Sequence, residues 1–211
     1  MFEITVQVCR TVACHTRLKI LDFLASHREV SPTDLARRLD IPLPKLSEHL
    51  RRLSASGLIQ RRHSGVRCYC VAKSPYGETT LSGKLSRWLF RVFRDPSSDS
   101  SAVSGKGRVN SRSVESTHQL IFNAATAFTH LRRVQILRHL ETRGESDSET
   151  MTAQLKMSPS ALSRHCAKLA RRGVLVAQET EDGWKCRLAG KARTPIHQEM
   201  FEIIRSSLGR R

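Results

Sequence analysis

Hydrogen-bond donors and cations recur at matched spacing on two segments of the chain. Ser47 and His49 reappear as Ser163 and His165, each 116 residues later, and arginine or lysine residues accompany both pairs. Hydroxyl, imidazole and guanidinium groups can donate to base edges or phosphate oxygens, whereas Glu48 can accept from the amino group of cytosine. These residue types at this spacing predict contacts with nucleic acid.

The two segments belong to a longer internal repeat. Residues 17–59 align with residues 133–175 without a gap, and 11 of the 43 aligned positions are identical. Other core positions exchange one apolar residue for another, as Leu35 does with Met151. Two copies are too few for a solenoid, which needs three or more repeats, so the repeat predicts a pseudo-symmetric pair of modules.

Each module shows the same order of secondary-structure signals. Serine followed by proline, at residues 31–32 and 158–159, is typical of a helix start. Inward-facing leucines at residues 46, 50 and 53 mark the next helix of module one, and Gly57 stands where a left-handed C-cap is expected. Alternating segments on either side of a glycine turn predict a hairpin in each module, and an amphipathic helix closes each. Residues 4–8 alternate like a strand, but their counterpart, residues 119–128, favours a helix, so both are predicted to be helical.

The predicted fold class is mostly α with small β-hairpins (α+β), built as two winged helix-turn-helix domains that form an intrachain pseudo-dimer. The domains are residues 1–94 and 118–211. Residues 95–117 contain eight serines and two glycines and are predicted to be a flexible linker with a reach of roughly 25 Å.

Module one resembles the ArsR family of bacterial transcriptional repressors. The resemblance rests on the runs Arg17-Leu-Lys-Ile-Leu-Asp-Phe-Leu24, Leu35-Ala-Arg-Arg-Leu39 and Leu46-Ser-Glu-His-Leu-Arg-Arg-Leu53, followed by Gly57-Leu-Ile. Residues 162–169 and 173–175 of module two resemble the same signature more loosely. The resemblance implies DNA binding by the second helix of the motif and a dimer paired through the first and last helices. Two modules on one chain therefore suggest a fused dimer.

The resemblance and the exposed positions together predict a set of DNA contacts. The expected contacts on the two recognition helices are Lys45, Ser47, Glu48, His49, Arg51, Arg52, Ser160, Ser163, Arg164, His165 and Lys168. The expected phosphate contacts on the wings are Arg61, Arg62, Arg67, Lys185 and Arg187, with His63 as a further candidate. His49 and His165 have two alternative interpretations, a metal pair or neutral residues on the helix surface.

The charge of the chain favours a polyanionic partner. The formal net charge is +17, with 17 Lys/Arg against 8 Asp/Glu in residues 1–95 and 16 against 9 in residues 118–211. Residue patterns typical of a secretory signal or a membrane span are absent, so a cytoplasmic protein with reduced thiols is expected. No nucleophile–base constellation or phosphate-binding glycine loop is visible, so an enzyme is not expected.

The six cysteines raise the question of a sensor. Many ArsR relatives bind metals through cysteines on the first motif helix, but residues 32–39 contain neither Cys nor His. Cys68 and Cys186 are assigned the same hairpin position, and Cys166 replaces Leu50, so these three are expected to be small buried hydrophobes. Neither a cofactor nor a metal is predicted, and an effector is left unidentified.

The predicted function is a sequence-specific DNA-binding transcriptional regulator, a repressor that places two recognition helices in adjacent major grooves of double-stranded DNA. The expected assembly is a monomeric pseudo-dimer, with a homodimer as the alternative. Two other functions stay open: a tandem winged-helix scaffold that binds protein, as in chromosome segregation, and a replication initiator.

Overall fold

The computed structural model describes residues 2–65, 67–95, 111–181 and 183–208, which are mostly helical with small antiparallel sheets. In chain order the elements are α1 (Phe2–Val12), α2 (His15–Ala25), α3 (Pro32–Leu39), α4 (Leu43–Ala55), β1 (Gln60–Ser64), β2 (Arg67–Val71), α5 (Leu81–Arg94), α6 (Ser111–Ala127), α7 (Leu131–Arg143), β3 (Glu145–Asp147), α8 (Ser148–Leu155), α9 (Pro159–Arg171), β4 (Leu175–Thr180), β5 (Gly183–Leu188) and α10 (Pro195–Leu208). Two compact units are formed, one by Thr11–Phe122 and the other by Met1–Arg10 with Asn123–Arg211. We call them the first and the second unit.

In the first unit, α3 and α4 form a helix pair whose ends are set by local chemistry. The Ser31 side chain accepts a hydrogen bond from the Asp34 backbone N–H, as the predicted N-cap requires. Asp40 ends α3 in the left-handed region at φ 52°, and Gly57 follows α4 at φ 67°. An added Cβ at Gly57 would lie 2.3 Å from the Tyr76 ring, so both the backbone and the packing require glycine here.

In the second unit, α8 and α9 repeat this arrangement. Ser158 is the N-cap of α9 and accepts from the Ala161 backbone N–H at 3.3 Å. Lys156, which is 116 residues after Asp40, has the same left-handed backbone with φ 49°, and Gly173 matches Gly57 with φ 70°. The matched left-handed residues give both helix pairs the same turn.

The second unit contains a strand that the sequence did not predict. The sheet order is β3-β5-β4, all antiparallel, with Ser146 opposite Cys186. In the first unit the equivalent residues, Val30 and Cys70, form a single isolated β-bridge instead of a strand. A three-residue strand makes no periodic signal, because its pairing is set by the hairpin it joins.

The helices before each module are confirmed at both predicted places. α1 covers residues 4–8, and Arg10 Nε donates to the Thr129 carbonyl oxygen at 2.9 Å within the second unit. α6 covers residues 119–128 except Phe128 and begins at Ser111, inside the segment assigned to the linker. Residues 96–110 of that segment lie outside the described residues.

A buried arginine joins each of these helices to the next one. Arg17 Nε donates to the Thr11 carbonyl oxygen at 2.5 Å, and Arg133 Nε donates to the Ala127 carbonyl oxygen at 2.7 Å. Both guanidinium groups lie in residues less than a tenth exposed, so the carbonyl contacts offset part of the cost of burying the charge. The identity of Arg17 and Arg133 in the repeat therefore has a structural reason.

The hairpins correct one detail of the repeat. Arg61 pairs with Cys70 in the first unit, and Ala177 pairs with Cys186 in the second, so the offset of 116 continues through the wings. The position equivalent to Cys186 is therefore Cys70. The assignment of Cys68 to that position was wrong because it followed the composition of the strands instead of their register.

Candidate nucleic-acid interface

Helix α4 presents a polar face opposite its buried leucines. Leu46, Leu50 and Leu53 are no more than 1% exposed. The outward positions predicted to contact DNA are Lys45, Ser47, Glu48, Arg51 and Arg52, and all five are exposed. The spacing of the leucines sets this orientation, because residues three and four apart lie on one side of a helix.

Glu48 and Arg52 form an ion pair on this face. Arg52 Nη2 donates to Glu48 Oε1 at 2.5 Å, one turn along the helix. The hydrogen bond and the charge of Arg52 hold the pKa of Glu48 below its usual value. Each side chain is about half exposed, so the pair orients the two groups more than it stabilises the helix.

Helix α9 has a different charge at the same positions. Arg164 replaces Glu48 and Lys168 replaces Arg52, and in the part of the chain that the structure describes neither takes part in an ion pair. Partial burial and the neighbouring Arg172 lower the pKa of Lys168. Ser160, Ser163 and Arg164 are exposed, and Lys168 is half-buried. Mutual repulsion of these cations favours an anion on this surface.

His49 was expected to face solvent, but its ring nitrogens do not. Both of its ring nitrogens are shielded from solvent and have no hydrogen-bond partner among the described residues. Burial and the nearby Arg17 lower the pKa of His49. The expectation of an exposed ring was wrong because residue 49 lies at the edge of the apolar face, next to Leu46, Leu50 and Leu53.

His165 is half-buried and lies against a second histidine. Its ring centroid is 4.6 Å from that of His130, with the planes tilted by 40°. His130 is the N-cap of α7, and its Nδ1 accepts from the Arg132 backbone N–H at 3.2 Å. The pair joins α9 to the start of α7, a contact that no sequence pattern indicated.

The histidine pair predicts a stability that falls in acid. Partial burial lowers the pKa of both rings, and His165 is further affected by His130, Arg133, Arg164 and Arg132. Since the folded-state pKa lies below the ordinary value of about 6.5, the unfolded chain binds protons first as the pH falls. The two neutral rings therefore stabilise the folded chain fully above pH about 6.5. This contribution is lost as the pH falls through the folded-state pKa values of His130 and His165.

Urea denaturation of the wild type and of His165→Gln at a series of pH values between about 5 and 8 measures this effect. We expect the free energy of unfolding of the variant to fall less than that of the wild type as the pH is lowered. The difference in slope against pH should correspond to at most about one proton taken up on unfolding. His49, His139 and His197 also have lowered pKa values and will maintain part of the dependence in both proteins. Identical slopes in the two proteins would show that His165 is not linked to folding.

The wings carry their cations on exposed strand positions. Arg61, Arg62, His63 and Arg67 in the first unit and Lys185 and Arg187 in the second are all exposed. Arg62 Nη1 is held 2.9 Å from Glu29 Oε1, and Arg61 Nη2 lies 3.4 Å from Cys68 Sγ. Lys185 and Arg187 share one strand face, with Cys186 buried on the other. Each wing therefore offers at least one cation for a phosphate oxygen.

Comparison with known families identifies the helix pair of the first unit. Residues 15–62 match the model of a helix-turn-helix domain. The match runs from α2 into β1 and includes the whole of α3 and α4, and it supports a DNA-binding regulator. No curated protein and no solved structure matches the chain. In the described residues no helix is long and apolar enough to cross a membrane.

A further basic surface in the second unit was missed from the sequence. A groove of about 560 Å³ is lined by Arg132, Arg138 and Arg143 of α7 and by Lys156. The matching residues of module one are Thr16, Asp22, His27 and Asp40. The basic residues of this groove are therefore not repeated in module one, and the comparison of the two modules did not indicate them. The available signal was the cluster of arginines on α7.

Proposed function

We propose that the chain is a sequence-specific DNA-binding transcriptional regulator, a repressor that places α4 and α9 in adjacent major grooves of one operator. One observation carries the proposal: two helices of 13 residues, each second in a helix pair with a matched left-handed turn, present donors and cations at equivalent outward positions. Recognition helices of this motif contact base edges through their N-terminal residues. Occupation of a promoter by the protein would block transcription.

The direct contacts to bases come from the N-terminal halves of the two helices in this proposal. Ser47 and Ser163 supply equivalent hydroxyl groups, and Glu48 and Arg164 supply groups of opposite charge. Arg164 suits the O6 and N7 acceptors of guanine, whereas Glu48 suits the amino group of cytosine. His49 is left out of the contact set because its ring nitrogens are shielded.

The wings and the ends of the recognition helices bind phosphates in the same arrangement. Arg51 and Arg52 lie toward the end of α4, and Lys168 lies at the corresponding place on α9. The wing cations extend this contact along the flanking backbone. Phosphate contacts position the protein on the duplex and provide most of the affinity at low salt, without reading sequence.

The two modules are proposed to act as a dimer on one chain. Residues 1–10 of the N-terminal helix belong to the compact unit of module two, and residues 111–122 of α6 belong to that of module one, which supports an exchange of first helices. We therefore expect light scattering at micromolar concentration to give the mass of one chain, 23.8 kDa. A stable particle of twice that mass would replace this arrangement with a homodimer.

Selection of bound fragments from the genome of the source organism, followed by a randomised-site library, tests the function. We expect enrichment of duplexes with two half-sites about one helical turn apart, 10 to 10.5 base pairs from centre to centre. Recovery of no preferred sequence, with equal binding to all duplexes, would contradict sequence-specific regulation. Failure to bind any duplex would instead favour a protein-binding scaffold.

A further inference from the structure

The groove of the second unit that contains Arg132, Arg138, Arg143 and Lys156, which we call the basic groove, concentrates positive charge. The three arginines lie on one side of α7, and Lys156 follows the end of α8. None of the described residues that line the groove is acidic. None of the four cations takes part in an ion pair in the described ranges 2–65, 67–95, 111–181 and 183–208. Four positive charges thus share one concave surface without a described acid to neutralise them.

The hydrogen bonds around the groove orient the cations but do not remove their charge. Arg132 Nη1 donates to two neutral acceptors, the Leu155 carbonyl oxygen at 3.2 Å and Gln135 Oε1 at 3.3 Å. The one acid of α7, Glu141, accepts instead from Arg205 Nε of α10 at 2.8 Å. The guanidinium groups of α7 therefore have donors left for an anion.

Module one shows that the fold does not require this charge. Its residues at the four matching positions are Thr16, Asp22, His27 and Asp40. In the first unit, His118 Nε2 of α6 lies 3.1 Å from Asp22 Oδ2. The offset of 116 makes Phe2 and Arg138 the equivalent pair of the second unit, and both line the basic groove. An acid with an imidazole beside it in one module is thus replaced by a cation with an apolar ring in the other.

The same difference argues against duplex DNA as the ligand of the basic groove. In the proposed function both modules bind one duplex, which presents the same phosphate charge to each of them. Cations placed for that backbone should therefore recur in both modules, as the wing cations do, whereas those of the groove do not. The groove also has a volume of about 560 Å³, which lies within the range of small-molecule sites, about 300 to 1,000 Å³.

The lining of the basic groove fits a phosphate ester. Guanidinium groups bind phosphate oxygens through paired, charge-assisted hydrogen bonds, and lysine adds a point charge. Four cations exceed what a single phosphate group, with a charge of about −2 at pH 7, would neutralise. The half-buried Phe2 and Leu155 add apolar surface beside the cations. We propose that the basic groove binds an organic di- or triphosphate, such as a nucleotide, with its phosphates on the cations and its organic part against Phe2.

Isothermal titration calorimetry of the full-length chain with ATP and with inorganic tripolyphosphate tests the site without DNA. At about 0.15 M salt, where exposed charges are screened beyond about 8 Å, we expect one molecule of either ligand to bind per chain. ATP should bind more tightly, because its organic part gains the contact with Phe2. Absence of binding by both ligands, or uptake of several molecules per chain, would overturn the proposal.

Matched arginine variants show whether the bound ligand occupies the basic groove. Arg143→Gln, at an exposed position, should weaken the binding of both ligands by about tenfold or more, as expected for a lost charged hydrogen bond. Arg138→Gln should do the same, and circular dichroism checks that its half-buried position tolerates the change. The control is Arg171→Gln, which removes the same charge from the exposed end of α9, outside the groove, and should bind as the wild type does. Equal weakening by the Arg143 and Arg171 variants would show general attraction to a chain of charge +17 and would overturn the site.

Phe2→Ala tests the organic part of the ligand separately. We expect the variant to bind ATP no more tightly than tripolyphosphate, and to bind tripolyphosphate as the wild type does. Unchanged affinity for ATP would overturn the contact with Phe2.

Salt titrations of duplex binding decide between a free phosphate ester and the DNA backbone as the ligand. Arg143→Gln should leave the salt slope close to that of the wild type, whereas loss of a DNA phosphate contact would lower it by about one. A lowered slope, with ATP binding unchanged in the same variant, would assign the groove to the backbone and overturn the proposal. This comparison alone depends on the proposed function; if no duplex binds, the calorimetry still decides whether the groove is a phosphate site.

Discussion

Binding to duplex DNA should weaken by roughly a thousandfold or more when the salt concentration rises from 50 to 200 mM. The reason is the release of counterions: each phosphate that the protein neutralises adds about 0.9 to the slope of log affinity against log salt. Exposed cations on α4, α9 and both wings can neutralise six or more phosphates if both modules bind one duplex. Fluorescence anisotropy with a labelled operator fragment at several salt concentrations measures the slope.

Single wing variants make the salt experiment specific. Lys185→Ala and Arg187→Ala should each weaken binding to all sequences and lower the slope by about one. Glu181, at the turn of the same hairpin, is exposed and acidic, so Glu181→Ala is the matched control and should not lower the slope. A nearly flat salt profile of the wild type would contradict binding through the two modules.

Arg164→Ala should cost about 1 to 3 kcal/mol of DNA affinity, with base preference lost in one half-site only. Glu48→Ala should change preference in the other half-site, because the two residues occupy the same position in α4 and α9. Glu48 is paired with Arg52, so its removal also frees a cation for phosphate and should strengthen binding to all sequences by a smaller amount. A randomised-site library, selected in parallel with the wild type and both variants, measures these changes.

Ala167 offers a control on the exposed side of α9. It lies one turn after Arg164, beyond the N-terminal residues that contact base edges in this motif, so the hydroxyl introduced by Ala167→Ser should leave the base preference largely unchanged. If Arg164→Ala and Glu48→Ala altered both half-sites equally, or altered neither, each module would not read its own half-site. The operator would then be expected to be a true palindrome or to be recognised by shape.

The difference between α4 and α9 has a consequence for the operator. A homodimer of single modules has two identical recognition helices, which favours a palindrome. In this chain the two helices can change independently, and the acid of α4 has become a base in α9. An operator with two unequal half-sites is the expected result of that divergence.

Local sequence signals set the helix ends, the turns and the inward leucines. Ser31 and Ser158 are N-caps, and Gly57 and Gly173 have the left-handed backbone, as their places in the sequence predicted. These features depend on residues within a few positions along the chain, since a cap or a turn is made by neighbours. The two helix pairs, the hairpins and the outward orientation of most polar side chains of α4 and α9 could be predicted for the same reason.

Positions at the edge of a face needed the tertiary structure. His49 lies at the border of the buried leucines of α4, where a small rotation of the helix decides between solvent and core. Its ring nitrogens are shielded although the residue as a whole is half-buried, and His165 contacts His130, 35 residues earlier in the chain. Periodicity assigns a face to a residue but does not say how far the neighbouring elements cover its edge.

The sequence by itself determined the repeat of residues 17–59 at residues 133–175, the basic charge of both halves and the order of their helices and hairpins, because those properties are local or additive along the chain. Only the tertiary structure decided which residues meet across elements. The strand β3, the equivalence of Cys70 with Cys186, and the approach of Cys186 to Met151 within 3.6 Å all follow from strand register and helix packing. The contacts of β3 with β5 and of Cys186 with Met151 join residues 35 or more positions apart, and a single sequence carries no local signal for the distance between them.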